Sequence, residues 1–305
     1  HGTRALEWLR EHDIVVRGHN LVWQSWGLLP PDVRNLQNDP EALQKRILTH
    51  INRIVSELKG QIIGWDVVNE HIDKHVLTDI LGLEAMVEWF QAAHEADPDA
   101  ELFVNEYNIL SAGGVSNKTQ DAYYELIEYL LDNGAPLSGI GMQSHFTMSV
   151  TPPERIWAIL DRFAVFGVPI WITEFDLQLN FPDSEDHQQF AADYLRDFYT
   201  AAFSHPAVEG IIMWGFRDED WDGWLHQAPI FYNDWTLKPS GQAYIDLVFG
   251  EWWTDEVGKT DEDGVYRVRA FLGDYEIVAS VDGKSVTVPA HVTKEGTQVT
   301  VQIDL

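Results

Sequence analysis

The chain contains no cysteine among its 305 residues, so disulfide bridges and thiolate metal sites are excluded and the redox compartment is left open. Basic residues are scarce: 20 Lys and Arg stand against 49 Asp and Glu, for a net charge of −29. That balance opposes nucleic acid and anionic membrane surfaces, because phosphate contacts need clustered cations. No apolar run approaches the ~18 residues that suggest a membrane-spanning helix. No strand-like segment is followed by a glycine-rich phosphate loop, which removes the anchor of a nucleotide-binding sheet. No leader or initiator Met is visible; the chain opens on "HGTRALEWLREHD", already inside a helical pattern.

What is plentiful is aromatic: 13 Trp, 10 Tyr and 14 Phe. Part of this fills a core, since aromatic side chains carry the largest burial energy. The remainder suits flat ligand faces such as sugar rings. The length allows one large domain, or one plus a small appendage.

Along the chain, short apolar strands alternate with amphipathic helices. The strands read as "DIVVRGH", "QIIGWDVVNE", "AELFVNEYN", "LSGIGMQSHF", "VPIWITEFD" and "VEGIIMWGFRD". A helix between the first two carries Leu43, Ile47, Ile51, Ile54, Val55 and Leu58 at spacings of three and four. Others are predicted over 81–96, 119–131, 152–166 and 187–203, and "KPSGQAYIDLVFG" closes the series. Serial βα units argue for an α/β fold with a parallel sheet. Polar residues stand at each strand's C-terminal end: His19; Asn69 and Glu70; Asn105 and Tyr107; Gln143 and His145; Glu174 and Asp176; Trp214. Groups gathered from many strand ends are what the mouth of a TIM (β/α)8-type barrel needs, and a barrel is predicted over 1–250. Beyond Gly250 an acidic connection leads to short alternating strands with Gly-Asp, Asp-Gly and Glu-Gly turns. This predicts a small all-β, sandwich-like accessory domain over 251–305.

Two carboxylates occupy equivalent places, Glu70 in "GWDVVNEHI" and Glu174 in "WITEFD". Alone, an Asn-Glu after a strand reads as a helix cap and a Glu-Phe-Asp as a solvated loop. Together on one barrel rim they can divide the labour of glycoside hydrolysis. One is held neutral and protonates a leaving oxygen; the other stays ionised and attacks the anomeric carbon. His145 and Asp176 can hold the second carboxylate ionised through an Asp–His–Glu chain, and Trp23 and Trp214 can serve as sugar platforms.

The segments "GHNLVW", "WDVVNE", "NEYN", "GIGMQSHF", "ITEFD" and "MWGFRD", in this order, resemble those of the family 10 glycoside hydrolases, the endo-β-1,4-xylanases. The resemblance covers about Gly2 to Gly250. It implies retaining hydrolysis of internal β-1,4 linkages of xylan or xylo-oligosaccharides without metal or cofactor, with Glu70 as acid/base and Glu174 as nucleophile. Asn69 would meet the sugar 2-hydroxyl, with His145 and Asp176 supporting Glu174. His19, Trp23, Gln143 and Trp214 would line the same subsite, and Tyr107 the leaving-group side. Trp221 and Trp224 compete for one further aromatic role. It also implies a secreted or periplasmic location.

The departures from the family pattern are specific. Gln24 stands where His is usual, Trp26 where Gln is frequent, Glu106 where Asp is usual, and His71 where Pro or Ala is common. The first two barrel strands, which carry further sugar-binding residues, are not in this chain. The expectation is a piece of a longer protein, with weak activity by itself. The main competing reading is a non-catalytic carbohydrate-binding barrel. A metal-dependent hydrolase is a third, weakened because the twelve histidines offer no ligand spacing beyond His71 and His75, four residues apart.

Overall fold

The computed structural model describes residues 2–178, 184–218 and 229–304, and the chain divides into two compact units, His1–Gln242 and Ala243–Leu305. The strands of the first are β1 (Arg17–Trp23), β2 (Gly64–Asn69), β3 (Glu101–Glu106), β4 (Gly139–Met142), β5 (His145–Phe146), β6 (Ile170–Leu177) and β7 (Val208–Met213). They form one parallel sheet. Helices α1 (Gly2–Glu11), α2 (Pro31–Arg34), α3 (Pro40–Glu57), α4 (Val76–Leu81), α5 (Glu84–Ala96), α6 (Asn117–Asp132), α7 (Pro153–Ala164), α8 (Glu185–Ser204) and α9 (Pro239–Asp246) alternate with them in groups. β5 prolongs the line of β4, since both pair with β6. Across the sheet the order is therefore β1, β2, β3, β4 with β5, β6, β7. No further strand pairs with β1 or β7 among the described residues.

The sheet is curled into part of a barrel. Arg17, on β1, lies over the rings of Phe103 on β3 and Trp171 on β6, 4.1 and 5.2 Å from their centroids. A flat sheet would separate those strands by far more, at roughly 4.8 Å per neighbour. Glycine makes room for the large rings. Gly18, Gly139 and Gly210 sit in register with Trp65, Phe103 and Trp171 of the adjoining strands. A β-carbon at any of the three would fall within 2.4 Å of the ring. The helices cover the other face with buried rows such as Leu43, Ile47, Ile51 and Val55 of α3 and Met86, Trp89, Phe90 and Ala93 of α5. Each fully buried large side chain contributes roughly 1.5–3 kcal/mol.

Four of the six strand segments expected from sequence contain the observed strands, the fifth falls one residue short of the end of β6 at Leu177, and the first is displaced. The pattern places it over Asp13–His19, but β1 runs from Arg17 to Trp23. Residues 12–14 are still closing α1: their N–H groups bond to Leu9 and Arg10 carbonyls, and Asp13 turns through a left-handed φ of 55°. Ile14 and Val15 are exposed, and pairing starts where Val16 O accepts Ile63 N–H. The helix expected over 81–96 is observed as α5, starting at Glu84, and a separate short helix, α4, precedes it and ends before Gly82.

In the second unit, β8 (Gly273–Val281) and β9 (Lys284–Val292) form an antiparallel hairpin through Asp282 and Gly283, both at positive φ, as a two-residue primed turn requires. It is the only ladder among that unit's described residues, whereas several short strands were expected. Leu247–Glu251 form a single π turn.

Gly139→Ala places a methyl group 2.0 Å from Phe103, which is fully buried and has no free space to enter. The substitution should lower unfolding free energy by about 1–3 kcal/mol in urea titration. An unchanged midpoint would contradict this account of the glycine–aromatic pairs.

Candidate active site

Glu174 lies within β6 and is only 5% exposed, so its carboxylate needs donors in place of water. Asn105 Nδ2, from β3, donates to Oε1 at 2.8 Å, and His145 Nε2, on β5, lies 3.2 Å from Oε2. His145 Nδ1 in turn is 3.1 Å from Asp176 Oδ2. Burial works against a charge on His145, but hydrogen bonds to Asp176 and Glu174, with their charges, outweigh it and raise the imidazole to about 9. At neutral pH it is therefore an imidazolium between two carboxylates.

A second histidine approaches the same carboxylate. His19 Nδ1 is 3.9 Å from Glu174 Oε1 and 2.9 Å from Asp66 Oδ2, while Asp66 Oδ1 accepts from Arg17 at 2.9 Å. Burial disfavours charge on His19, yet the Asp66 hydrogen bond and charge carry its pKa above the usual value. The Trp214 ring packs edge-to-face with both histidines, with centroids 5.8 Å from His19 and 6.1 Å from His145.

Glu70 immediately follows β2 in a left-handed conformation, φ 56°, uncommon for a residue with a β-carbon. Its N–H donates to Asn105 O at 2.9 Å, which ties the turn to β3. Two neutral donors hold the carboxylate: Trp23 Nε1 at 3.0 Å and Gln143 Nε2 at 3.1 Å. Asn69, 1% exposed, accepts at Oδ1 from both Asn105 and Gln143, at 3.0 and 3.2 Å. Glu70 and Glu174 are thus joined through Gln143, Asn69 and Asn105.

Three of the four unusual residues, Glu106, Gln24 and His71, adjoin this network, whereas Trp26 is exposed. Glu106 is 1% exposed and accepts from the Ile72 and Tyr107 N–H groups, pinning the loop after Glu70. Burial pushes its carboxyl up to about 8, against the pull of those N–H groups. Tyr107 donates from its hydroxyl to Asp73 of the same loop. Gln24 is buried, accepts from Thr78 N–H at 2.9 Å and donates to His71 Nδ1 at 3.1 Å. Burial, and then the His75 charge, lower His71 to about 4, so it is a neutral acceptor.

The sequence-predicted residues Glu70, Glu174, Asn69, His145, Asp176, His19, Trp23, Gln143 and Trp214 thus come together at one end of the sheet, with Tyr107 on the adjacent loop. Trp221 and Trp224 lie outside the described residues. His71 and His75 do share an edge-to-face contact, but His75 bonds to Asp79 at 2.9 Å. Among the described residues no group of three or more His, Asp or Glu is arranged to hold a metal ion. The sequence pattern places Asn105 among the polar residues of the barrel mouth without a specific role, and gives none to Asp66 or Thr173. The available signal was a polar residue inside a strand buried on both faces, as Asp66 is in β2 and Asn105 in β3.

The chain matches the model of glycosyl hydrolase family 10 over residues 1–246. The anti-sigma-I factor RsgI6 of Acetivibrio thermocellus is 37% identical to it, over 91% of this chain and 34% of that protein. Endo-1,4-beta-xylanase 1 of Arabidopsis thaliana is 30% identical, over 96% of this chain and 30% of its own length. The chain thus spans about a third of the length of these curated relatives. Native xylanase 10B from Thermotoga maritima superposes with a TM-score of 0.72 at 30% identity, covering 82% of this chain and 79% of that one. Xylanase 10B from Thermotoga petrophila, solved with xylobiose, gives the same score and identity, over 82% and 78%.

The raised pKa of His145 has a consequence for stability. Its contribution is complete below the unfolded value of 6.5 and is lost as pH rises through about 9. In thermal or urea unfolding, the advantage of the unmodified protein over His145→Asn should therefore shrink by up to about 1.4 kcal/mol per pH unit across that window. A difference that stays constant from pH 6.5 to 9 would contradict the imidazolium assignment.

Proposed function

The chain belongs to glycosyl hydrolase family 10, and from that premise we propose that it is a retaining endo-β-1,4-xylanase acting on xylan or xylo-oligosaccharides. The observation that carries this reading is the unequal environment of two linked carboxylates. Glu174 is paired with cationic His145, whereas Glu70 is held only by neutral donors. Groups set apart in this way can serve as nucleophile and acid/base.

Glu174 attacks the anomeric carbon as Glu70 gives its proton to the departing oxygen, leaving the sugar esterified to Glu174. Glu70, now ionised, takes a proton from water, and that water displaces Glu174 from the same carbon. His145, oriented by Asp176, holds Glu174 ionised for attack and stabilises it again as a leaving group. Asn69 offers its amide to the 2-hydroxyl of the sugar being cleaved. His19, Trp23, Gln143 and Trp214 line that sugar's subsite, and Tyr107 the leaving-group side; Trp221 or Trp224 adds a further aromatic contact. Residues 251–305, which fall within the second unit, are proposed as an accessory domain. A secreted or periplasmic location, where xylan is met, belongs to the same reading; no helix among the described residues is long and apolar enough to cross a membrane.

A second reading is a glycan-binding barrel without turnover, favoured by a relative of 37% identity that is named an anti-sigma-I factor and not a xylanase. Release of phenol from an aryl β-xylobioside separates the two. Glu174→Ala should lower kcat by on the order of 10⁴-fold. Glu70→Ala should cost the first step only about 10–100-fold, because an activated phenol needs little protonation. Turnover that survives Glu174→Ala would overturn the assignment; binding of xylo-oligosaccharide with no turnover would establish the second reading.

A further inference from the structure

Asn105 is fully buried, and each of its polar groups has a partner on a different part of the site. Its Nδ2 donates to Glu174 Oε1 at 2.8 Å and to Asn69 Oδ1 at 3.0 Å, which uses both amide hydrogens. Its Oδ1 accepts from Thr173 Oγ1 at 2.6 Å. Its backbone carbonyl accepts the N–H of Glu70 at 2.9 Å. Gly141, in register with it on β4, leaves the space: a β-carbon there would stand 2.5 Å from Asn105 Oδ1.

We propose that Asn105 is a positioning residue, locked by Thr173, that sets the orientation of both the Glu174 carboxylate and the Asn69 amide. This rests on the reading of Glu174 as nucleophile and Asn69 as partner of the 2-hydroxyl. The chemistry allows one orientation. The Glu174 carboxylate only accepts, so the Asn105 amide must turn its nitrogen there and toward Asn69, and its oxygen is left to take the Thr173 hydroxyl proton. Flipping it would set its oxygen against a carboxylate and another amide oxygen in a buried site, where each unpaired acceptor is costly. Asn69, receiving two N–H donors from Asn105 and Gln143 on its oxygen, is fixed in turn with its two N–H donors left for a hydroxyl of the sugar. Thr173 thereby orients a substrate contact through Asn105 and Asn69.

The experiment compares the unmodified chain, Asn105→Ala, Thr173→Val and Glu174→Ala on an aryl β-xylobioside and on its analogue lacking the 2-hydroxyl of the sugar bonded to the phenol. Asn105→Ala should lower kcat by about 100-fold with KM within about threefold, and Thr173→Val by about 10-fold, since the interactions lost act mainly in the transition state. In both variants the penalty for removing the 2-hydroxyl should shrink by about tenfold, an effect that general loosening of the core would not produce. Unchanged kcat, or an unchanged 2-hydroxyl penalty, would overturn the proposal. Thr173→Val keeps its side-chain shape, so it decides the matter if Asn105→Ala fails to fold. Turnover that survives Glu174→Ala would sink the underlying assignment; loss there with both other variants unaffected would sink the role of Asn105 alone. If the unmodified chain shows no turnover, the lock is read by NMR of the ¹⁵N-labelled protein. The Asn105 side-chain amide protons should exchange at least about tenfold more slowly than those of an exposed asparagine, and Thr173→Val should remove that protection. Fast exchange in the unmodified chain would overturn the proposal.

Discussion

A buried carboxylate is the constraint from which the rest of the site follows. Glu174 sits inside a strand where water cannot solvate it, and an unpaired charge there would cost several kcal/mol. Its two oxygens are satisfied from different strands, by Asn105 of β3 and His145 of β5. That requires the sheet to curl until side chains from β1, β2, β3, β5 and β6 meet. Each donor then needs an acceptor for its own remaining groups. Asp176 completes His145, Thr173 and Asn69 complete Asn105, and Asp66 completes His19. The polar cluster is thus self-consistent, and pairing one acid fixes the orientation of about half a dozen neighbours.

The lower part of the same interior is organised by volume rather than charge. Trp65, Phe103 and Trp171 each lie across a glycine of the neighbouring strand, and the Arg17 guanidinium covers two of those rings while bonding to Asp66. Arg17 therefore links the aromatic floor to the polar rim. Its cation faces ring π-systems on one side and a carboxylate on the other, an arrangement suited to a planar, weakly hydrated guanidinium. Two of the four departures from the family pattern are also paired with each other. Gln24 and the neutral His71 form a single hydrogen-bonded unit with Thr78, so two unusual residues satisfy each other beside the loop that follows Glu70.

Much of the fold and site was legible from strand endings, because a parallel sheet buried on both faces writes its core as continuous apolar runs and its chemistry at their C-terminal ends. Glu70, Glu174, His145 and Asp176 were found in this way. The first strand was misplaced because Ile14 and Val15 look like strand residues yet belong to the turn leaving α1. Asn105 and Asp66 received no specific role because their partners lie 36 to 69 and 47 to 49 residues away in the chain. A polar residue inside a doubly buried strand signals that it is paired, but not with which groups. The number of ladders formed after residue 250 was likewise not legible, since Gly-Asp and Asp-Gly turns mark chain reversals whether or not flanking strands pair.

The central claim is that Glu174 attacks carbon while Glu70 handles the proton, so that two displacements occur at one centre. The most direct measurement is the configuration of the first-formed sugar, followed by proton NMR during hydrolysis of an aryl β-xylobioside before mutarotation. The account predicts that the β-anomer appears first and the α-anomer only later, by equilibration. Initial formation of the α-anomer would mean a single displacement by water and would contradict the role given to Glu174.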